Sequence, residues 1–228
     1  GLYGAWTRGN DYWAADRTEI PARFMRASLG ARMSLKITPG QLLKLSATRN
    51  IARDADFAAL PMDLREDDTW LLSATHEIYP SATRLKSWKS TVYGSFVDHL
   101  MDNLLKSLDP RPVNAVTRAN TLNYGFRSEG SWTFGQTRLY TGLDYRFEGA
   151  DGLRTREFLL GPNAGNTILD NVWQGATLQK AGLFAEYQVQ GAVIKWVVSG
   201  RLNYNQARIT DPDPNFDALY EESRTSQF

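Results

Sequence analysis

His99 and Met101 stand two residues apart, and on an extended strand such residues project from the same face. An imidazole beside a thioether is a soft donor pair suited to copper, above all Cu(I), whereas hard ions call for carboxylates. The same pair also reads as a packing methionine next to a hydrogen-bonding histidine. Ser95 lies four residues before His99, the residue types of a nucleophile and its base, but that chemistry needs an orienting acid assembled with them in space. The segment Arg53–Asp68 holds six carboxylates, Asp54, Asp56, Asp63, Glu66, Asp67 and Asp68. Their spacing lacks the sixth-position glycine of an EF-hand, so a solvated loop with Arg53 and Arg65 as internal partners is expected. Met62 in that loop either reaches a metal bound nearby or anchors the loop beside Pro61. No glycine-rich phosphate loop is present, and the absence of cysteine excludes thiolate metal sites, thiol catalysis and disulfides.

Composition narrows the classes that could hold these residues. The chain has 228 residues, 26 basic against 25 acidic, which excludes nucleic-acid binding through bulk charge. A hydrophobic fraction of 42% supports an ordered structure. The longest run free of charge, Phe158 to Leu169, contains Gly161, Pro162 and two asparagines and falls short of the ~20 apolar residues of a membrane helix. No signal peptide is visible at Gly1–Gly4.

Hydropathy alternates with period two. From Met25 to Ile37 every odd residue is apolar while the even ones are Arg26, Ser28, Gly30, Arg32, Ser34 and Lys36. That is a strand with one dry and one wet face. Pro39-Gly40 turns it into a return strand through Leu43, Leu45 and Ala47. Further hairpins are expected from Trp70–Ile78 into Trp88–Leu100, from Leu122–Phe126 through a turn near Gly130 into Leu139–Phe147, and from Ala181–Val189 into Ile194–Tyr204. These give eight strands, with a weaker ninth at Leu2–Arg8.

Connections alternate between short turns (38–41, 79–84, 129–136, 189–193) and long polar segments (about 10–24, 50–68, 102–117 and 149–175). Strands of roughly 9–11 residues, short turns at one end and long loops at the other, and Arg and Lys in mid-strand on the wet face favour an outer-membrane barrel over a soluble sandwich. Trp196 and Tyr204 would lie about 26 Å apart along their strand, or ~20 Å along the membrane normal, as two aromatic girdles require. On this parity Ser95, His99 and Met101 face the lumen at the long-loop end and Asp98 faces outward. His76 becomes a girdle residue, and the inward Ser95 and His99 suit a lipid-cleaving site poorly.

Ala52-Arg53-Asp54-Ala55-Asp56-Phe57-Ala58-Ala59-Leu60-Pro61-Met62-Asp63, with Asp67-Asp68-Thr69-Trp70 after it, resembles a segment of TonB-dependent outer-membrane receptors. Val92-Tyr93-Gly94-Ser95-Phe96-Val97-Asp98-His99-Leu100-Met101-Asp102-Asn103 resembles another, and its His-x-Met pair is similar to that of the copper-receptor branch. The resemblance implies a plugged barrel of about 22 strands taking up a scarce nutrient such as copper, a ferric siderophore or cobalamin, with energy relayed by the TonB system through a plug. It implies no enzyme activity and no required cofactor, with copper as a transported ligand held at His99 and Met101. The partners expected are outer-membrane lipid, the TonB system and the metal or metal chelate. The fold expected is all-β, a partial antiparallel transmembrane barrel of about eight to nine strands with short periplasmic turns and long extracellular loops. Residues 1–228 are expected to be an incomplete barrel segment, lacking the plug and remaining strands. The closing Thr225-Ser226-Gln227-Phe228 has a terminal Phe suited to a last barrel strand, yet Arg224 and Ser226 stand at positions expected to be apolar. A passive pore, an adhesin barrel and a soluble β-sheet module are the alternatives.

Overall fold

The computed structural model describes residues 1–220 and 223–227, and these form an all-β chain. Its strands are β1 (Leu2–Gly9), β2 (Tyr12–Trp13), β3 (Glu19–Ile20), β4 (Phe24–Thr38), β5 (Gln41–Ala55), β6 (Asp63–Ile78), β7 (Leu85–Asp102), β8 (Val113–Phe134), β9 (Thr137–Phe158), β10 (Thr167–Asn171), β11 (Ala176–Gln190), β12 (Lys195–Ile209) and β13 (Arg224–Gln227). One short helix, α1 (Pro214–Leu219), is capped by Asp213, which accepts from the Asn215 amide. Eleven strands make one antiparallel sheet in the order β1-β4-β5-β6-β7-β8-β9-β11-β12-β13, with β10 alongside β9. β2 and β3 form a separate small hairpin. β1 and β13, the ends of the path, do not pair with each other, so the sheet is not closed.

Register shows why alternation on single strands adds up to two continuous faces. The row Met33–Leu45–Ala74–Val92–Phe126–Tyr145–Ala181–Tyr204 crosses eight strands without a charge. The next row, Ser34–Lys44–Thr75–Thr91–Arg127–Asp144–Gly182–Asn203, lies on the opposite face and is polar throughout. There Arg201 makes a two-pronged bond to Asp144 at 2.8 Å, and Thr75 bonds Thr91 at 3.0 Å. The apolar face is bare, with Val198 68%, Leu202 75% and Leu183 58% exposed, so it needs a cover other than water.

The apolar face has sharp edges. At the short-turn end Trp88 meets Trp132 edge-on at 5.7 Å, and the Trp88 indole donates to Ser90 and Ser128. At the other end the row Trp70–Phe96–Leu122 is the last apolar one, and the next row on that face is Asp68–Asp98–Asn120–Asp151. From Trp88 to Phe96 is ~26 Å of strand.

Three expectations are corrected. The long strands run 15–22 residues from β4 to β12, not 9–11, and the connections shrink to 56–62, 103–112 and 159–175. Beyond the apolar band the ladder continues through polar pairs such as Asn114–Glu157 and Arg154–Asp170, and a hydropathy pattern cannot register these. The turn placed near Gly130 falls at Gly135, whose φ is +63°. Gly130 instead stays in β8, where a Cβ would meet the Trp132 and Trp88 rings at 2.5 and 2.7 Å. Lastly, β13 pairs only with Asn205–Arg208, above Tyr204. Arg224 and Ser226 are polar because they sit beyond the band, and Phe228 lies outside the described residues.

The faces are tested in a vesicle-folding assay. Val198→Arg should cost ~2–4 kcal/mol if that site is near the midplane, and Ser199→Arg much less. Gly142 is unsuitable as a polar-face control, because a Cβ there would lie 2.3 Å from the Phe184 ring and 2.8 Å from the Ser128 carbonyl. Equal losses at 198 and 199 would reverse the reading.

Candidate functional site

The candidate residues converge above the apolar band on the polar face of β6, β7 and β8. Asp67 on β6 is the Cα partner of His99 on β7, and its Oδ2 lies 3.1 Å from His99 Nδ1. Thr69 donates to the other carboxylate oxygen at 2.8 Å, which fixes the Asp67 rotamer. With its proton on Nδ1, His99 donates to Asp67 and presents Nε2, which has no protein partner among the described residues. A carboxylate behind an imidazole in this way orients a metal-binding histidine and raises its basicity.

Met101 follows on the same face, and its neighbour on β8 is Thr117. The Thr117 hydroxyl lies 4.0 Å from the Met62 sulfur. Met62, just before β6, therefore reaches across β7 to the β8 residue whose Cα partner is Met101. Sequence reasoning left Met62 undecided between ligand and anchor because the crossing depends on a register shift between Leu64 and Glu66. That β-bulge at Arg65 makes Leu64 the partner of Met101, and no hydropathy signal marks it.

Asp54, Asp56, Asp63 and Asp68 make structural ion pairs. Asp63 is 3% exposed, accepts from the Phe57 amide at 2.8 Å and pairs with Lys106 at 2.6 Å. Lys106 also donates to the Phe57 carbonyl at 2.6 Å. Arg65, at the bulge, bridges Asp54 at 2.9 Å and Asp102 at 3.4 Å, while Arg53 holds Asp68 at 2.8 Å. Asn103 accepts from the Ala115 amide and donates to the Val113 carbonyl, both at 2.8 Å. The Arg53 and Arg65 pairs are as expected, but Asp63 is buried rather than solvated, as is its neighbour across the sheet, Asp102. Burial pushes the Asp56 carboxyl up from its ordinary pKa, against the pull of Arg23 at 3.0 Å. Among the described residues no group of three or more His, Asp or Glu is arranged to hold a metal ion, so a hard-cation site is absent there.

Ser95 and His99 are not brought together. Four residues of strand separate them by ~13 Å, Ser95 accepts from Asn123 at 3.2 Å, and His99 is engaged by Asp67. His76 projects from the apolar face in the row Leu35–Leu43–His76–Ser90–Ser128, as a girdle residue would, with its Nε2 enclosed and unpartnered. At the long-loop end, Arg156 and Arg154 converge on Asp170 at 2.6 and 3.0 Å and tie β10 to β9.

No protein family matches the chain, and no curated protein matches it. Among solved structures the fold is similar to that of the copper transporter OprC, with a TM-score of 0.76 at 17% identity. The match covers 91% of this chain and 33% of the transporter, so the chain spans about a third of that protein's length. The likeness establishes the fold, a large antiparallel sheet of the kind that protein contains.

Two outcomes check this geometry. Asp63→Ala strands Lys106 beside a buried void and should destabilise the long-loop end by ~3–5 kcal/mol, read by denaturant titration. Hydrogen bonds from Arg156, then Arg154, hold the Asp170 carboxyl below its ordinary range. Its stabilisation is therefore complete above the unfolded pKa and disappears as pH falls through the lowered folded value. Proteolysis of segment 159–175 should accelerate on that acid limb, and Asp170→Asn should make it fast at neutral pH as well.

Proposed function

We propose that this chain is part of the wall of an outer-membrane β-barrel that takes up copper, with His99 and Met101 as ligands to the ion in transit. The observation that carries this reading is the Asp67-backed imidazole, with its free Nε2, beside Met101 on the polar face of a sheet whose other face is apolar. In such a barrel the apolar face meets lipid, the polar face lines the lumen, the short turns are periplasmic and the long connections extracellular. The similarity to a copper transporter supports the cargo assigned here.

Copper is the substrate. Nitrogen from His99 and sulfur from Met101 form a soft partial shell that favours Cu(I), and Met62, whose sulfur lies 4.0 Å from the Thr117 hydroxyl, is a third donor of the same softness. A plug carried elsewhere in the protein would complete the shell and couple release to a TonB-type system. No catalytic step is assigned, and no resident cofactor is required.

The test is elemental analysis of copper bound to the purified intact protein. Met101→Leu conserves volume and should cost under ~1.5 kcal/mol of stability while weakening copper retention. His99→Ala should do the same, and Asp67→Asn should lower affinity about 10–100-fold by disturbing the imidazole without removing a ligand. Glu66→Gln, on the opposite face of β6, should change nothing. Wild-type copper content in the His99→Ala/Met101→Leu double variant would return both residues to a packing role and move the cargo toward a metal chelate such as a ferric siderophore.

A further inference from the structure

Directly above the apolar band, on the same face, lies a depression of ≈ 400 Å³ lined by Asp98, Arg118, Asn120, Asp151, Leu153 and Leu169. Asp98, Asn120 and Asp151 are Cα partners in one row across β7, β8 and β9. Adjacent strands are ~4.8 Å apart, so the two carboxylates flank the amide at that spacing. Arg118 is the next residue outward on the same face of β8, with Leu100 and Leu153 as its partners. It is diagonal to both aspartates, a position from which a long side chain can reach either.

None of these four polar side chains forms an ion pair or hydrogen bond among the described residues, although opposite charges stand within reach. Asp68, in the same row, behaves differently and is taken up by Arg53 at 2.8 Å and Arg49 at 3.3 Å. Leu153 and Leu169 are 53% and 69% exposed at the rim, and Phe96 and Leu122 lie directly below, 45% exposed each.

The vertical order of chemistry identifies the occupant. Moving away from the band, the face presents apolar surface, then a carboxylate–amide–carboxylate row, then a guanidinium. Carboxylates and amides accept and donate to hydroxyl groups, and a guanidinium forks onto phosphate. We propose that this depression seats the phosphorylated saccharide head of a glycolipid, its acyl chains on Phe96 and Leu122, its sugar hydroxyls on Asp98, Asn120 and Asp151, and its phosphate on Arg118. This rests on the reading of the apolar face as lipid-facing.

The experiment places the intact protein in phosphatidylcholine bilayers containing a minor fraction of a glucosamine-disaccharide lipid carrying one phosphate, or of the same lipid without phosphate. Enrichment of the glycolipid in the copurifying shell is measured by mass spectrometry. The phosphorylated form should be enriched several-fold, and Arg118→Ala should reduce it to the level of the unphosphorylated form. Asp98→Ala/Asp151→Ala should lower the enrichment of both forms, because sugar contacts are lost. Simple charge attraction requires the opposite sign, since removing two negative charges would draw more phosphate. A rise in that double variant, or equal enrichment for wild type and Arg118→Ala, overturns the proposal. So does full displacement by soluble glucosamine phosphate, which would make the lipid part irrelevant. Failure of the wild type to enter bilayers overturns the membrane reading as well, whereas insertion without enrichment overturns this site alone.

Discussion

A backbone crossing an apolar medium has no water to complete its N–H and C=O groups, so each strand must be laddered to a neighbour on either side. In the membrane-spanning barrel wall proposed for this chain, the rest of the structure depends on that constraint. It explains why eight long strands with little buried hydrophobic core stay together: the sheet is held by main-chain pairing rather than by side-chain packing. Among the described residues the buried apolar ones are Ala55, Leu64 and Ala115 alone, all at the long-loop end. Where the chain leaves the apolar band water returns, and the chain there resembles a small soluble domain, with the Asp63–Lys106 pair and the Asn103 bonds fastening one connection to the next.

The band and the loop end place different demands on the sequence, and this accounts for what the sequence revealed. Inside the band one face must be apolar at every second residue, so parity was readable from Met25–Ile37 or Trp196–Tyr204 without any structure. The eight long strands, the faces of His99, Met101, Asp98 and His76, and most short turns follow from that rule. Beyond the band a strand is sustained by cross-strand charge pairs between residues distant in sequence, as Arg154 and Asp170 are, and periodicity of hydropathy stops. The expected strand ends therefore fell short on β8 and β9. Gly130 misled for a related reason: glycine marks a turn only where φ demands it, and here it makes room for two tryptophan rings.

The site was partly legible in the same way. His99 and Met101 share a face by arithmetic alone, but Asp67 as the partner of the imidazole requires the β6–β7 register, and Met62 requires the bulge at Arg65. The words that resemble receptor segments prove to have two jobs. Asp54, Asp63, Asp102 and Asn103 fasten the connections, while Asp67, His99 and Met101 stand on the face those connections enclose. These segments thus hold fastening residues and candidate site residues side by side, and only the geometry separates them.

From β4 to β9 every neighbour in the sheet is also the next long strand in the chain, without a crossover. Loop closure between partners then costs little entropy at each step, because the intervening segments are short. Assembly can advance one hairpin at a time, each new strand finding a finished edge as its template. The growing sheet exposes its newest strand and the outer edge of β1, which has no partner among the described residues, so each addition moves one reactive margin while the other stays in place.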